Sequence, residues 1–354
     1  MKYSTFCAAN SGDGFISFFD TIINEKNNKV YFLKGGPGCG KSTLLKQIQA
    51  LSNNAEIIHC SGDPDSLDGV ILSDKRTVII DATNPHSFEP VYPGICGNIV
   101  DLGEGWDPTK LNATKIINLT EQKKLLYKKC YKLLSGIKKI HESVFAPLCN
   151  EINKDAVKKL IKKLFSQNAL SRYSANDNVT DCRFISCISP NGLITFNQTI
   201  ESLGKNVIML KDRWMIGPYI LQLLDKELSN QKIYHINCYH PLLGKNTLQH
   251  ILIPQSNLSI ITSNSLFETK LSEDLIVKTI STSNFLDKNH INSNKNKLSF
   301  ITKEEKELLT IECDTLHQAK DIHLEIENEY IKGTDFNATK HLKEKLIHNI
   351  FYQT

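Results

Sequence analysis

Nine consecutive residues concentrate the chemistry of this chain: Gly35-Gly36-Pro37-Gly38-Cys39-Gly40-Lys41-Ser42-Thr43. Glycines at 35, 36, 38 and 40 let main-chain N–H groups turn inward around an anion, which bulkier residues would prevent. A helix opening at this point adds the positive end of its dipole. Lys41 then stands where its ammonium reaches the β- and γ-phosphates of a nucleoside triphosphate. Ser42 stands where its hydroxyl binds Mg²⁺. The spacing is that of a Walker A loop, so ATP with Mg²⁺ is the expected ligand and Lys41 the expected cation of the reaction. Cys39 reads as a small residue in a tight turn.

Three carboxylates are candidates to act beside that loop. Thr77-Val78-Ile79-Ile80-Asp81 is an apolar strand ending in an acid, the Walker B pattern, which makes Asp81 a second candidate magnesium ligand and a catalytic residue. Asp63 and Asp65 follow the short apolar run Glu56–Cys60, and in a doubly wound sheet the carboxyl ends of strands line the ligand crevice. They are candidates to orient water, to take a proton from a hydroxyl nucleophile, or to hold Mg²⁺ through water. The same Asp63-Pro64-Asp65 run also suits a capping turn. His86 could polarise a γ-phosphate or serve only its own loop. Ala82 follows Asp81, so the glutamate that many ATP hydrolases place there to activate water is missing. No base-reading motif for guanine is present. A cation beyond Lys41 is hard to find: the chain has four arginines, and Arg213 is the candidate for a finger acting in cis.

These residues need a strand, a turn and a helix to hold them, and the pattern supplies all three. Lys29-Val30-Tyr31-Phe32-Leu33 reads as a buried strand, and Leu44, Leu45, Ile48 and Leu51 recur at helical spacing after the loop. Phe15, Phe18, Phe19 and Ile22 form a further stripe that suits core packing. The arrangement is also written twice. Phe6–Ile22 aligns without a gap on Phe184–Ile200, with Phe6, Gly14, Phe18, Thr21 and Ile22 meeting identical residues. Val30–Lys34 then matches Val207–Lys211, and each half closes with a helical stretch carrying an Ile-His pair, Ile140-His141 and Ile322-His323. The expected fold is therefore α/β: two repeated P-loop NTPase-like units, each a mainly parallel sheet with flanking helices and a helical tail. The halves run 1–170 and 180–354, with the polar seam at 168–180.

The second copy lacks the loop. Asp212-Arg213-Trp214-Met215-Ile216-Gly217-Pro218-Tyr219 stands in its place, with Pro218 at the lysine position and Tyr219 at the serine position. Proline has neither N–H nor charge, and Asp212 would repel a phosphate. The acid after the Walker B strand is lost as well, in Ser259-Ile260-Ile261-Thr262. The rear half thus reads as a pseudo-domain.

Composition narrows the function classes. The chain has 354 residues, is 40% hydrophobic and 23% charged, and carries a formal net charge of +4, as a water-soluble globular protein would. That charge is small, and no basic cluster supports nucleic-acid binding. Ten cysteines show no ligand spacing for zinc. No apolar run is long enough to cross a bilayer and no leader is evident, which predicts a cytoplasmic protein with reduced thiols and no membrane partner.

Taken together, the loop, His59-Cys60 through Asp63-Pro64-Asp65-Ser66-Leu67-Asp68, Asp81-Ala82-Thr83 with Pro85-His86, Ala319-Lys320-Asp321-Ile322-His323, and Tyr330-Ile331 to Asp335-Phe336 resemble a family of bacterial tandem P-loop ATP-binding proteins of uncharacterised role. The resemblance implies ATP binding and two similar halves. Members often carry a second working loop, which this chain does not. The expected function is a Mg²⁺-dependent ATP hydrolase with one active site in the first half. A kinase acting on a small molecule or nucleotide, and a nucleotide-controlled switch with negligible turnover toward a protein partner, are the alternatives.

Overall fold

The computed structural model describes residues 1–25, 28–85, 87–90, 93–95, 97–167, 170 and 179–352. The chain folds as two compact units. One comprises Met1–Ser4, Phe19–Lys129 and Thr315–Thr354; the other comprises Thr5–Phe18 and Cys130–Asp314. The repeat in the sequence runs 1–170 and 180–354, so the compact units follow different borders: each takes a segment from the other half.

Following the chain, strand β1 (Lys2–Thr5) leads to a hairpin, β2 (Ala8–Ser11) and β3 (Gly14–Ser17), and a short helix α1 (Phe19–Ile23). Then come β4 (Lys29–Lys34), α2 (Lys41–Leu51), β5 (Ala55–His59), β6 (Leu67–Leu72), β7 (Thr77–Asp81) and β8 (Gly97–Asp101). Two helices close the first half, α3 (Ala113–Phe145) and α4 (Lys154–Gln167). The second half repeats the series with β9 (Thr180–Arg183), β10 (Ser186–Ser189), β11 (Gly192–Thr195), α5 (Asn197–Leu203), β12 (Asn206–Lys211) and α6 (Gly217–Asn230). It continues through β13 (His235–His240), β14 (Gly244–Ile253), β15 (Leu258–Ser263) and β16 (Ile276–Ser281) to the long helix α7 (Lys288–Lys332) and α8 (Phe336–Phe351).

Two six-stranded, mostly parallel sheets result. The first has the order β1-β5-β6-β7-β4-β8 and the second β9-β13-β14-β15-β12-β16. Equivalent strands hold equivalent places in both, as two copies of one unit require. In each, one strand runs against its neighbours, β6 between β5 and β7 and β14 between β13 and β15. The central strands are apolar through their length because both faces are covered: Val30, Tyr31, Phe32 and Leu33 of β4 and Val78, Ile79 and Ile80 of β7 are buried.

The sequence stripe Phe15–Ile22 divides between two element types. Phe15 lies in β3, while Phe19 and Ile22 are buried in α1. Phe18, between them, packs on Phe184 and Tyr239. Both hairpins belong to the second unit, where Phe6 and Phe184 exchange N–H···O bonds of 2.8 Å in each direction. The Asn10 side chain reaches the Ile188 carbonyl. Residues matched by the repeat thus pair with their own counterparts, the signature of a local two-fold axis between the hairpins.

In the first unit, α2 buries Leu44, Leu45 and Ile48 against Tyr31, Leu33 and Ile79, and α8 adds Leu346 and Ile350 to the same core. The turn before α8 is tied down by Asp107 N–H to the Gly333 carbonyl and Asp335 N–H to the Gly105 carbonyl, both 2.7 Å. Asp335 caps α8 by accepting from Asn337 and Ala338 N–H. Leu346 and Ile350 of α8 are consequently part of the core that packs around α2. Leu346→Ala should lower the stability of this unit by about 2–5 kcal/mol. Urea unfolding followed by Trp106 fluorescence in a Trp214→Phe background measures it; an unchanged midpoint would show that α8 is not part of that core.

Candidate functional site

The glycine loop leaves β4 at its carboxyl end and enters α2. Gly35, Gly38 and Gly40 have φ of 123°, 74° and 88°, a region that L side chains rarely adopt. Gly40 is the N-cap of α2, and no side chain caps the helix. The first N–H groups of α2 therefore point into the loop without intrahelical partners.

Lys41 is 8% exposed. Its Nζ donates to the carbonyls of Gly35 at 2.5 Å and Gly36 at 2.9 Å and lies 3.6 Å from Asp81 Oδ2. This meeting follows from sheet register, because β4 and β7 are direct neighbours and Leu33 pairs with Asp81. Burial pushes the Asp81 carboxyl up, against the pull of Lys41 and a hydrogen bond from the Thr83 hydroxyl. The Ser42 hydroxyl accepts from Leu67 N–H at 3.0 Å. Burial raises the Cys39 thiol despite Lys41 beside it, so the thiol stays protonated. Pro37 is half-buried in the loop, and Thr43 faces outward on α2.

Asp63 and Asp65 sit after β5. Burial would raise Asp63, but the Lys320 ammonium at 2.6 Å and the Ser66 hydroxyl at 2.6 Å hold it below the ordinary carboxylate range. Asp65 is exposed at the rim, 3.8 Å from the same lysine. The structure thus brings Lys41 together with Asp81, and Asp63 with Lys320, while Asp65 faces solvent. His86 lies outside the described residues, as does most of the seam 168–180.

The sequence pattern alone did not reveal the basic side chains supplied by residues 315–354. A Cβ on Gly40 would come within 2.9 Å of Lys343 Nζ, and one on Gly38 within 2.8 Å of Ile331 and 3.0 Å of the Glu327 carbonyl. Lys343 Nζ also reaches the Cys39 carbonyl at 3.5 Å, and burial lowers its pKa. Trp106 covers Gly36 and packs on Tyr330, its ring 5.2 Å away; its indole N–H is buried with no partner among the described residues. Farther along α7, His323 Nδ1 lies 3.2 Å from Lys123 Nζ of α3. Burial, then Lys123, hold His323 down at about 4. The signal for this wall was in the sequence: Lys320 and His323 lie in 319–323, and Tyr330 and Ile331 in the run that ends at Phe336.

The second unit answers the same geometry differently. Asp212 is 1% exposed at the start of α6. Its Oδ1 accepts from Ile216 N–H at 2.8 Å and from the Thr282 hydroxyl at 2.9 Å, and the carboxylate also takes the Gly217 N–H. Asp212 was expected to repel a phosphate. It does more, because its carboxylate occupies the helix N-terminus where an anion would bind. Burial raises its pKa, and these hydrogen bonds oppose the rise. Arg213 lies over the Trp214 ring and donates to the Ser299 hydroxyl within this unit.

Among the described residues no helix is long and apolar enough to cross a membrane, and no group of three or more His, Cys, Asp or Glu side chains is arranged to hold a metal ion. Comparison with protein-family models, with curated proteins and with solved structures returns no match.

His323 gives a pH dependence with a definite sign. Its folded pKa of about 4 is below the unfolded value of 6.5, so the unfolded chain takes the proton first as pH falls. Its contribution to stability is complete above about pH 6.5 and is lost between there and about pH 4, amounting to about 3 kcal/mol over the full window. His323→Gln should flatten that part of the stability profile, measured as urea midpoints from ~pH 7 to ~pH 4.5. An equal acid slope in the variant would assign the loss to other groups.

Proposed function

We propose that the first unit binds Mg²⁺–ATP as a P-loop NTPase, with one nucleotide per chain, and hydrolyses it. The observation that carries this reading is the buried Lys41 ammonium, held at carbonyl groups of its own loop and 3.6 Å from Asp81 across two adjacent parallel strands. A lysine with that burial and those neighbours is placed to trade carbonyl contacts for phosphate oxygens. The residues fit the ligand. Three positive-φ glycines bend the loop, and no side chain caps the α2 amides. Ser42 and Asp81 are the side chains that would hold Mg²⁺, the phosphates supplying other ligands; the ion would neutralise charge that develops on the transferred phosphoryl group. The resemblance to tandem ATP-binding proteins supports the same ligand through its motif residues.

In this reading Lys41 draws charge from the β- and γ-phosphates, and the loop amides fix the phosphate chain in line for attack. Lys343, beside Gly40, supplies the further cation that the arginine-poor sequence does not offer. One observation favours the switch with slow turnover as a second reading. Asp63 is already neutralised by Lys320 and Ser66, and buried Ala82 follows Asp81, so neither position offers a free general base.

Calorimetric titration with ATP and Mg²⁺ should give a single site, because Asp212 fills the equivalent place in the second unit. Lys41→Ala should weaken binding roughly ten- to a hundredfold, the value of a charge-assisted contact. Release of ADP with water alone identifies a hydrolase, release that needs an added acceptor identifies a kinase, and binding without release identifies a switch. Unchanged affinity in Lys41→Ala would refute the loop as the site.

A further inference from the structure

Lys123 and His323 make an unusual pair. An ammonium and an imidazole approach to 3.2 Å on α3 and α7 in a partly buried setting, and burial lowers the pKa of both. Among the described residues, Lys123 Nζ has no hydrogen-bond or ion-pair partner besides His323 Nδ1. A cation held away from water without a carboxylate is unfavourable unless an anion joins it. The groups that face His323 come from several elements: Lys123 from α3, Lys41 from α2 and Asp63 from the segment after β5. Lys320, one turn earlier on α7, is committed to Asp63 and Asp65, and the Cys60 thiol faces Lys123. Lys41 thus meets Asp81, and Lys320 meets Asp63 and Asp65, with Asp68 buried nearby, while Lys123 is the cation of this group that has no carboxylate partner among the described residues.

We propose that Lys123 and His323 form an anion subsite that receives the terminal phosphate of the triphosphate bound at the glycine loop, and so distinguishes ATP from ADP. The proposal rests on the reading of that loop as the nucleotide site. Its chemistry is a proton balance. In the free site His323 is neutral, with Nδ1 accepting from Lys123 and the proton on Nε2. A terminal phosphate carries negative charge up to the pair, and a neighbouring anion favours the charged imidazole. When ATP binds, His323 Nδ1 therefore takes a proton from the buffer: an N–H bond forms there, the buffer acid loses its proton, and the Lys123 ammonium gives up its hydrogen bond to Nδ1 and turns to the phosphate. ADP, one phosphate shorter, does not reach the pair and takes up no proton there.

The test is calorimetry on the full chain near pH 7 with saturating Mg²⁺, titrating ATP and ADP in two buffers of different ionisation enthalpy. Wild type should take up a proton with ATP and none with ADP. His323→Gln and Lys123→Met should each weaken ATP roughly tenfold, leave ADP within about twofold, and abolish the ATP-specific proton uptake. Lys123→Arg should retain much of the preference, and thermal melts verify that each variant is folded. If both variants bind ATP and ADP as wild type does, with the same proton uptake, the subsite is wrong while the loop reading stands. Equal ATP and ADP affinity in wild type, with binding still lost in Lys41→Ala, would likewise overturn the subsite and leave the loop in place. If wild type binds neither nucleotide, both readings fall.

Discussion

A lysine ammonium buried under a turn of glycines is the constraint on which this structure depends. A charge that is 92% removed from water must be met by oxygen atoms, and the carbonyls of Gly35 and Gly36 with the Asp81 carboxylate meet it. Those oxygens converge only because β4 and β7 are adjacent and in register, and because the loop can wind through positive φ at three places. The alternation of apolar strand and helix that packs Leu44, Leu45 and Ile48 against the sheet is what holds that register. Chemistry and core are thus one arrangement: the strand ends deliver the charged groups, and the apolar strand bodies fix them.

The second unit shows the same backbone solution after a change of charge. Its sheet keeps the strand order, and α6 still begins where α2 does in the first unit. Asp212 supplies an internal carboxylate to the exposed amides, and Pro218 removes one of them. A helix N-terminus can be satisfied by a bound anion or by one carried in the chain. The second unit uses the carboxylate of Asp212, whereas α2 in the first has no side-chain cap. The exchange of segments between halves adds a further asymmetry: both hairpins lie in the second unit, while residues 315–354 complete the first. The first compact unit is therefore assembled from segments of both halves of the repeat.

Local chemistry was legible in the sequence, and distant partners were not. The strand–loop–helix around Lys41 was readable because glycine spacing, an apolar strand and an amphipathic helix agree within about twenty residues. Asp81 was readable as an acid ending a buried strand, and the strand order of the second sheet follows from the repeat. What Lys123, Lys320, His323 and Lys343 face was not, because their helices are polar over much of their surface, and periodicity states which face is buried without naming what covers it. The destination of residues 315–354 depends on tertiary packing of Leu346 and Ile350. Asp212 was seen but read as a repulsive group; its hydrogen bonds to main-chain amides depend on loop geometry that composition does not encode. Phe15 and Phe19 fell into one stripe because over so few residues the helical and strand periods overlap.

The central claim is that the Lys41 ammonium leaves its own loop carbonyls for a phosphate. A crystal structure of the full chain with Mg²⁺ and a non-hydrolysable ATP analogue tests it most directly. The account predicts β- and γ-phosphate oxygens within hydrogen-bond distance of Lys41 Nζ, the ion at Ser42 and on the Asp81 side, and Asp212 still bound to the amides of α6. A nucleotide seated elsewhere, with Lys41 still on the carbonyls of Gly35 and Gly36, would contradict it.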